Sequence, residues 1–253
     1  MVELGAHKGL IAENMSKETV GKLICVSSSQ ASLDKIEPVE DLILEKKHID
    51  NEENFKMDEN SVDMVISSLS FHWVNDLPNL FKSVFDCLKP DSVFIASMFG
   101  GQTLFELRSS LQVAEMEREG GFGLHISPFI TPQDIGRLLT KAGFTMLTID
   151  TDEIVVHYPS IFELMNDLQG MSENNALIQG RTHLNRDSLL SAAAIYDQFY
   201  GLYNEKQKSR VIPGTFQVFY LIAWKPDPSQ PKPLSPQKPQ FSLKDIAHLD
   251  KLK

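Results

Sequence analysis

Apolar runs of strand length alternate with amphipathic stretches over roughly residues 1 to 150. Val2 to Leu4 reads as the end of a strand, and a helix is expected over about 9 to 16. GKLICV (21 to 26) suits a buried strand and DLILE (41 to 45) is another strand candidate, separated by SSSQASLDK, a loop into a helix that serine can cap. Residues 46 to 61 are polar and predict a loop, and DMVISSL (63 to 69) is the next strand. In DLPNLFKSVFDCLKP (76 to 90) the apolar positions 77, 80, 81, 84, 85 and 88 fall on one helical face, which Pro90-Asp91 should end. SVFIASMF (92 to 99) is a strand, followed by a Gly100-Gly101 break, a helix to about 118 and a second break at Gly120-Gly121.

Thr131-Pro132 opens a helix that runs to about Ala142 and is closed by Gly143. FTMLTIDTDEIVVHY supplies one or two strands, helices follow at about 160 to 169 and 187 to 206, and GTFQVFYLIAWK (214 to 225) is a long last strand. Such alternation predicts an α/β fold with a doubly wound, mostly parallel sheet. The last strand, arriving after a helical insert at about 159 to 212, is expected to return antiparallel at an edge. One domain over 1 to 225 follows. Beyond it, residues 225 to 240 hold six prolines in 16 positions, so 226 to 253 is expected to be a disordered tail, with SLKDIAHLDKL as one short amphipathic helix.

Composition narrows the function more than the fold. The 253 residues are 42% hydrophobic and 23% charged, as in ordinary globular domains. A formal net charge of −10 argues against nucleic acid as a partner, since a phosphate-backbone binder needs a basic face. Cys25 and Cys87 lie far apart in apolar surroundings and read as buried thiols. No apolar run reaches the ~18 residues of a membrane span, and no transit peptide is visible. The chain opens almost inside a ligand loop, so its true start is expected upstream; a fragment, a mispredicted gene start and a short isoform all fit.

That loop is Glu3-Leu4-Gly5-Ala6-His7-Lys8-Gly9. In a doubly wound sheet, ligands bind outside the carboxyl ends of the strands at the switch point beside the first. Glu3 would cap the strand, Gly5 would permit the turn, and Gly9 would let the helix pack closely. His7 puts a large side chain at the middle glycine position and is expected to weaken binding. A ribose site wants a carboxylate after the second strand, but Ser27-Ser28-Ser29 stands there, and a serine makes a poorer hydrogen bond. Asn51, Glu52 or Glu53 could reach an adenine-type edge. Ser68, His72 and Trp73, after the fourth strand, would sit at the pocket mouth, where an indole can cover an aromatic ligand; Trp73 anchoring the next helix is the alternative. His48 and Asp50 form an H-x-D pair, yet no third ligand is legible, so no metal site is expected.

The turn, SSLSFHWVNDLP (67 to 78) and LKPDSVFIASMFGGQTLFELR (88 to 108) together resemble class I S-adenosylmethionine-dependent methyltransferases. EREGGFGLHISPF (117 to 129), DTDEIVVHYPSIFELMNDLQGMSENNA (150 to 176) and GTFQVFYLIAWK extend the likeness, within that class, to the mitochondrial complex I assembly factor 5 family of arginine hydroxylases. The resemblance covers residues 1 to about 225. It implies a seven-stranded methyltransferase-like sheet, S-adenosylmethionine as cofactor, and a place on the matrix side of the mitochondrial inner membrane, in peripheral contact with it. It also implies hydroxylation of an arginine on the PSST-type core subunit of complex I. The family carries glycine at position 7 and an acid at position 27, so cofactor binding is where this chain departs from it.

Arginine is cationic at neutral pH, so its pocket should offer carboxylates that grip the guanidinium bidentately. Asp150, Asp152 and Glu153, clustered on one strand, and Glu106, at the start of a helix, are the candidates; solvated strand-end charges are the alternative. Hydroxylation needs an oxidant and methyl transfer only the sulfonium donor. Hydroxylase, methyltransferase and non-catalytic assembly chaperone with a degraded cofactor site therefore all stay open on the residues alone.

Overall fold

β1 (Val2–Leu4) is fully buried and stands in the middle of the sheet. It pairs in parallel with β2 (Lys22–Ser27) on one side and β4 (Val62–Ser68) on the other. β3 (Ile43–His48) adds in parallel outside β2, and β5 (Leu88–Phe99) outside β4. β8 (Ser209–Trp224) then runs antiparallel between β5 and β6 (Thr145–Tyr158). The order is β3-β2-β1-β4-β5-β8-β6, and β7 (Leu202–Asn204) pairs with β8. The last strand is antiparallel as expected, but it lies one strand in from the edge, and β6 forms the border. The computed structural model describes residues 1–174, 184–205 and 208–231; the expected disordered tail, apart from residues 226–231, and the short helix expected within it lie outside them.

The helices cover the sheet from both sides. α1 (Leu10–Glu13) and α2 (Gln30–Lys35) pack over Leu23, Cys25 and Leu33. α3 (Leu77–Cys87) and α5 (Pro132–Ala142) cover a core of Phe71, Phe81, Phe94 and Phe144. α4 (Phe105–Glu119), α6 (Ile161–Gly170) and α7 (Arg186–Tyr200) close a third cluster beyond the carboxyl end of β5, around Leu107, Leu164 and Tyr196.

Several boundaries differ from the sequence pattern, each for a local reason. α1 is a single turn, because Gly9 before it has no capping side chain and Ser16 and Thr19 close the next turn on each other. β3 runs to His48 because its register with β2 continues through Ser27. α3 stops at Cys87 rather than at Pro90. The Lys225 ammonium there takes up the carbonyls of Phe85 and Leu88 at 2.8 and 2.7 Å, a cation where the helix end is negative. Leu88 then pairs with Val62, so β5 begins early, and Asp91 takes a left-handed turn before the regular ladder resumes at Val93.

Candidate functional site

The glycine turn sits at the carboxyl end of β1, where connections to β2 and β4 diverge. The amides of Gly5 and Ala6 both donate to the Val26 carbonyl at 2.9 Å, which ties the turn to β2. Gly5 has φ +76°, a left-handed conformation that glycine accepts without strain. A Cβ on Gly5 would lie 2.0 Å from Ser70 Oγ, so the loop after β4 presses directly on this glycine. Gly9 likewise leaves room for Ile36. His7 and Lys8 are exposed: the bulky residue at the middle glycine position points away from the packed part of the turn. Beside Gly5, the hydroxyl of Ser67 is buried and has no hydrogen-bond partner.

Glu3 is buried on the face it shares with Cys25, whose thiol donates to its Oε2 at 3.5 Å. Burial raises its carboxyl above the usual range, against a smaller opposing pull from the thiol; burial also pushes the Cys25 thiol up to about 12. The folded state therefore keeps a proton that the unfolded chain releases from about pH 4.5 upward. This contribution to stability is complete below that pH and is lost as pH rises through the folded value. Glu3→Gln should therefore raise the urea midpoint at pH 7 and flatten its decline above pH 4.5. An unchanged or lower midpoint at pH 7 would contradict the assignment.

Ser27, at the end of β2, is buried and accepts from the Ser29 amide at 3.2 Å. A carboxylate stands there all the same. Glu52, from the loop after β3, accepts the Ser28 amide at 3.0 Å through Oε1. Asn51 caps the short 3-10 turn by accepting the Glu53 amide at 3.0 Å. Glu53 accepts the Asn75 and Asp76 amides at 2.8 and 3.3 Å, which hold its carboxyl below the usual range. Of the three residues expected to reach a ligand edge, Glu53 is thus engaged with the start of α3. His48 Nε2 lies 3.1 Å from the Ser28 carbonyl, and among the described residues no group of three or more His, Cys, Asp and Glu could hold a metal.

The loop after β4 carries the most built part of the site. Phe71 is buried against Phe81 and Phe94 and anchors a 3-10 turn, Phe71–Trp73. His72 follows with its ring against Phe99, centroids 4.7 Å apart, and Phe129 at its edge. His72 Nε2 and Trp73 Nε1 both donate to Glu173 Oε1, at 2.9 and 3.3 Å. The His72 side chain is 3% exposed and its Nδ1 has no partner. Trp73 is 41% exposed, so it serves the surface of the site rather than the core. Ser68 is exposed, with the Ser97 hydroxyl 3.5 Å away.

Glu173 also lines a cavity of about 440 Å³ between α4, α6 and the segment 123–126. Its walls combine apolar side chains, among them Leu107, Leu111, Ile126, Met165 and Leu168, with the polar His125, Asn166 and Gln169. On one side His125 Nε2 donates to the buried Glu115 at 2.6 Å, and the Gly123 amide donates to the other oxygen of that carboxylate at 2.7 Å.

The expected arginine-gripping acids are not brought together. Asp150 and Asp152 are exposed on β6 and accept the amides of Thr151 and Glu153 at 2.9 Å; Glu153 accepts from Gln217 at 3.5 Å. None of the three lines the cavity. Glu106 is buried and bonded to the hydroxyl and amide of Thr215, where it pins α4 to β8 instead of facing a pocket. Sequence reasoning missed Glu173, Glu115, His125 and Ser67. Glu173 and His125 lie inside the segments that carried the family likeness, but nothing in the local pattern pairs Glu173 with His72 and Trp73, about a hundred positions away.

Comparison with known proteins shows the family and supports the fold. A methyltransferase-domain profile matches residues 1–149. The mitochondrial arginine-hydroxylase NDUFAF5 of Danio rerio is 46% identical over 251 residues, which is 99% of this chain and 76% of that protein. The YcgJ protein of Bacillus subtilis superposes with a TM-score of 0.58 at 11% identity, covering 89% of this chain and 91% of that one. Haemonchus contortus phosphoethanolamine N-methyltransferase 2, solved with S-adenosylhomocysteine, gives 0.51 at 14% identity, covering 90% of this chain and 49% of that one. At such identities the two structures speak for the fold alone.

Proposed function

The chain belongs to the methyltransferase-domain family and, within it, to the NDUFAF5 arginine-hydroxylase family; from that premise we propose that it modifies an arginine of a protein client by hydroxylation. The client is a core subunit of complex I, and the work is done at the matrix side of the mitochondrial inner membrane. The relative's name is mitochondrial, and no helix among the described residues is long and apolar enough to cross a membrane. The observation that carries the reading is Glu173, one carboxylate bonded to His72 and Trp73 beside the glycine-turn loops and also lining the cavity between α4 and α6.

The residues fit S-adenosylmethionine on three counts. Gly5 holds the left-handed turn at the end of β1 without a side chain of its own, the orphaned Ser67 hydroxyl lies beside it, and Glu52 is held at the end of β2. When bound, that cofactor supplies an activated methyl group and an adenosyl body. Glu52 and Asn51 would face the adenosyl end, and Trp73 would cover the reactive end. Ser27 leaves ribose recognition to Glu52. Charge-assisted hydrogen bonds contribute about 1.5–3 kcal/mol, so Glu52→Gln should weaken S-adenosylhomocysteine binding by roughly tenfold or more. With a ribose-dideoxy analogue, calorimetry should show no difference between E52Q and the parent chain; an equal loss with both ligands would remove Glu52 from the ribose.

Placing oxygen on arginine takes an oxidant as a separate co-reactant. The test of the function is mass spectrometry of the complex I core subunits from cells with and without the protein. A gain of one oxygen on a single arginine, lost in its absence, is expected. A gain of one methylene would make the protein a methyltransferase, and no change would make it a chaperone.

A further inference from the structure

We infer that the cavity between α4, α6 and residues 123–126 is the slot for the client's arginine side chain, with Glu173 receiving the guanidinium. This rests on the arginine-modifying reading above. Arginine has a long apolar stem and a planar cation that forms paired hydrogen bonds with a carboxylate. The cavity matches both parts. Leu107, Leu111, Ile126 and Met165 give a lining for methylenes, and its volume of about 440 Å³ lies within the range of small-ligand sites.

Of the two carboxylates nearby, only Glu173 suits the cation. Glu115 already has both oxygens engaged, one by His125 and one by the Gly123 amide. In Glu173, both bonds from the described residues fall on Oε1. They fix the plane of the carboxylate while Oε2 accepts nothing from any described residue. A guanidinium edge can therefore dock on a carboxylate that is already oriented, which limits the entropy lost on binding. The same two donors, His72 and Trp73, belong to the loop that packs on the glycine turn through Ser70. A side chain anchored on Glu173 thus ends where the cofactor crevice begins. Asp150, Asp152 and Glu153, the acids that the sequence alone favoured, are exposed on the border strand, with no such pocket around them.

Calorimetry with N-acetyl-arginine methylamide and its neutral citrulline counterpart tests the assignment on the full chain loaded with S-adenosylhomocysteine. The arginine probe should bind the parent chain about tenfold tighter than the citrulline probe. Glu173→Gln should remove most of that difference and leave citrulline binding unchanged. Leu111→Trp, which fills the slot without touching any charge, should weaken both probes together. Equal binding of the two probes, no saturable binding of either, or an E173Q variant that still prefers arginine would overturn the inference. The two levels separate in cells. If the client arginine gains oxygen normally with E173Q, the slot is wrong and the hydroxylase reading stands. If it gains none with the parent protein, the reading itself is wrong.

Discussion

Gly5→Val should abolish measurable S-adenosylhomocysteine binding, a loss of at least about a hundredfold, or roughly 2.7 kcal/mol. Two separate physical costs fall on this one position. Valine would have to adopt φ near +76°, where an L-residue is disfavoured by about 1–2 kcal/mol. Its Cβ would also fall inside the contact radius of Ser70, and overpacking of this kind costs about 1–3 kcal/mol. The turn must move to relieve either cost. Because its amides are tied to Val26, the movement displaces the carboxyl end of β1 from β2. Ser70→Gly in the same chain removes the collision but not the dihedral cost, so G5V/S70G should recover part of the stability and little of the binding. Thermal melts and calorimetry on the two variants check this. Full recovery of binding in the double variant would show that the turn conformation matters less than the space above it.

Phe71→Ala should destabilise the protein by about 3–5 kcal/mol, the usual cost of emptying a large aromatic site in a packed core. Phe71 is fully buried and its ring lies 6.0 Å from Phe81 and 5.8 Å from Phe94. At the size of this chain, a loss of that order lowers the melting midpoint by roughly 10 °C. The position matters for function because Phe71 begins the turn that presents His72 and Trp73. Without the anchor, the two donors to Glu173 lose their fixed geometry. F71A should therefore weaken S-adenosylhomocysteine and the arginine probe together at a temperature where the variant is still folded. Phe71→Leu, which keeps most of the apolar volume, should restore stability and both affinities in large part. Loss of stability with unchanged affinities would separate the core from the site.

Much of the fold was legible because it rests on periodicity. The strands around β1 are short apolar runs between turn residues, and α3 shows its buried face at 77, 80, 81 and 84. The end of α3 moved because of a distant partner, Lys225. Sequence periodicity carries no trace of such a contact. The position of β8 inside the sheet was hidden for the same reason. A strand that pairs on both sides and one that pairs on one side can have the same apolar content when helices cover both faces.

The site was legible only where a residue acts within its own loop. Gly5 and Gly9 announce their backbone conformations by their identity, and both are left-handed. Glu52 was legible in its own loop, but not its place at the gap left by Ser27, to which it is delivered from a neighbouring connection. Glu106 looked like a pocket acid because it opens a helix after a glycine break, yet Thr215 binds it in the interior. Glu173 lies about a hundred positions from His72 and Trp73 in sequence, and no local rule joins residues at that distance.

A crystal structure with S-adenosylhomocysteine tests the arrangement most directly. The expected density lies along Gly5 to Gly9, with the ribose on Glu52, the adenine beside Asn51, and the sulfur end turned toward Trp73 and the mouth of the Glu173 cavity. Ligand density elsewhere on the molecule would contradict it, as would crystals in which Ser70 still covers Gly5 and no ligand binds at saturating concentration.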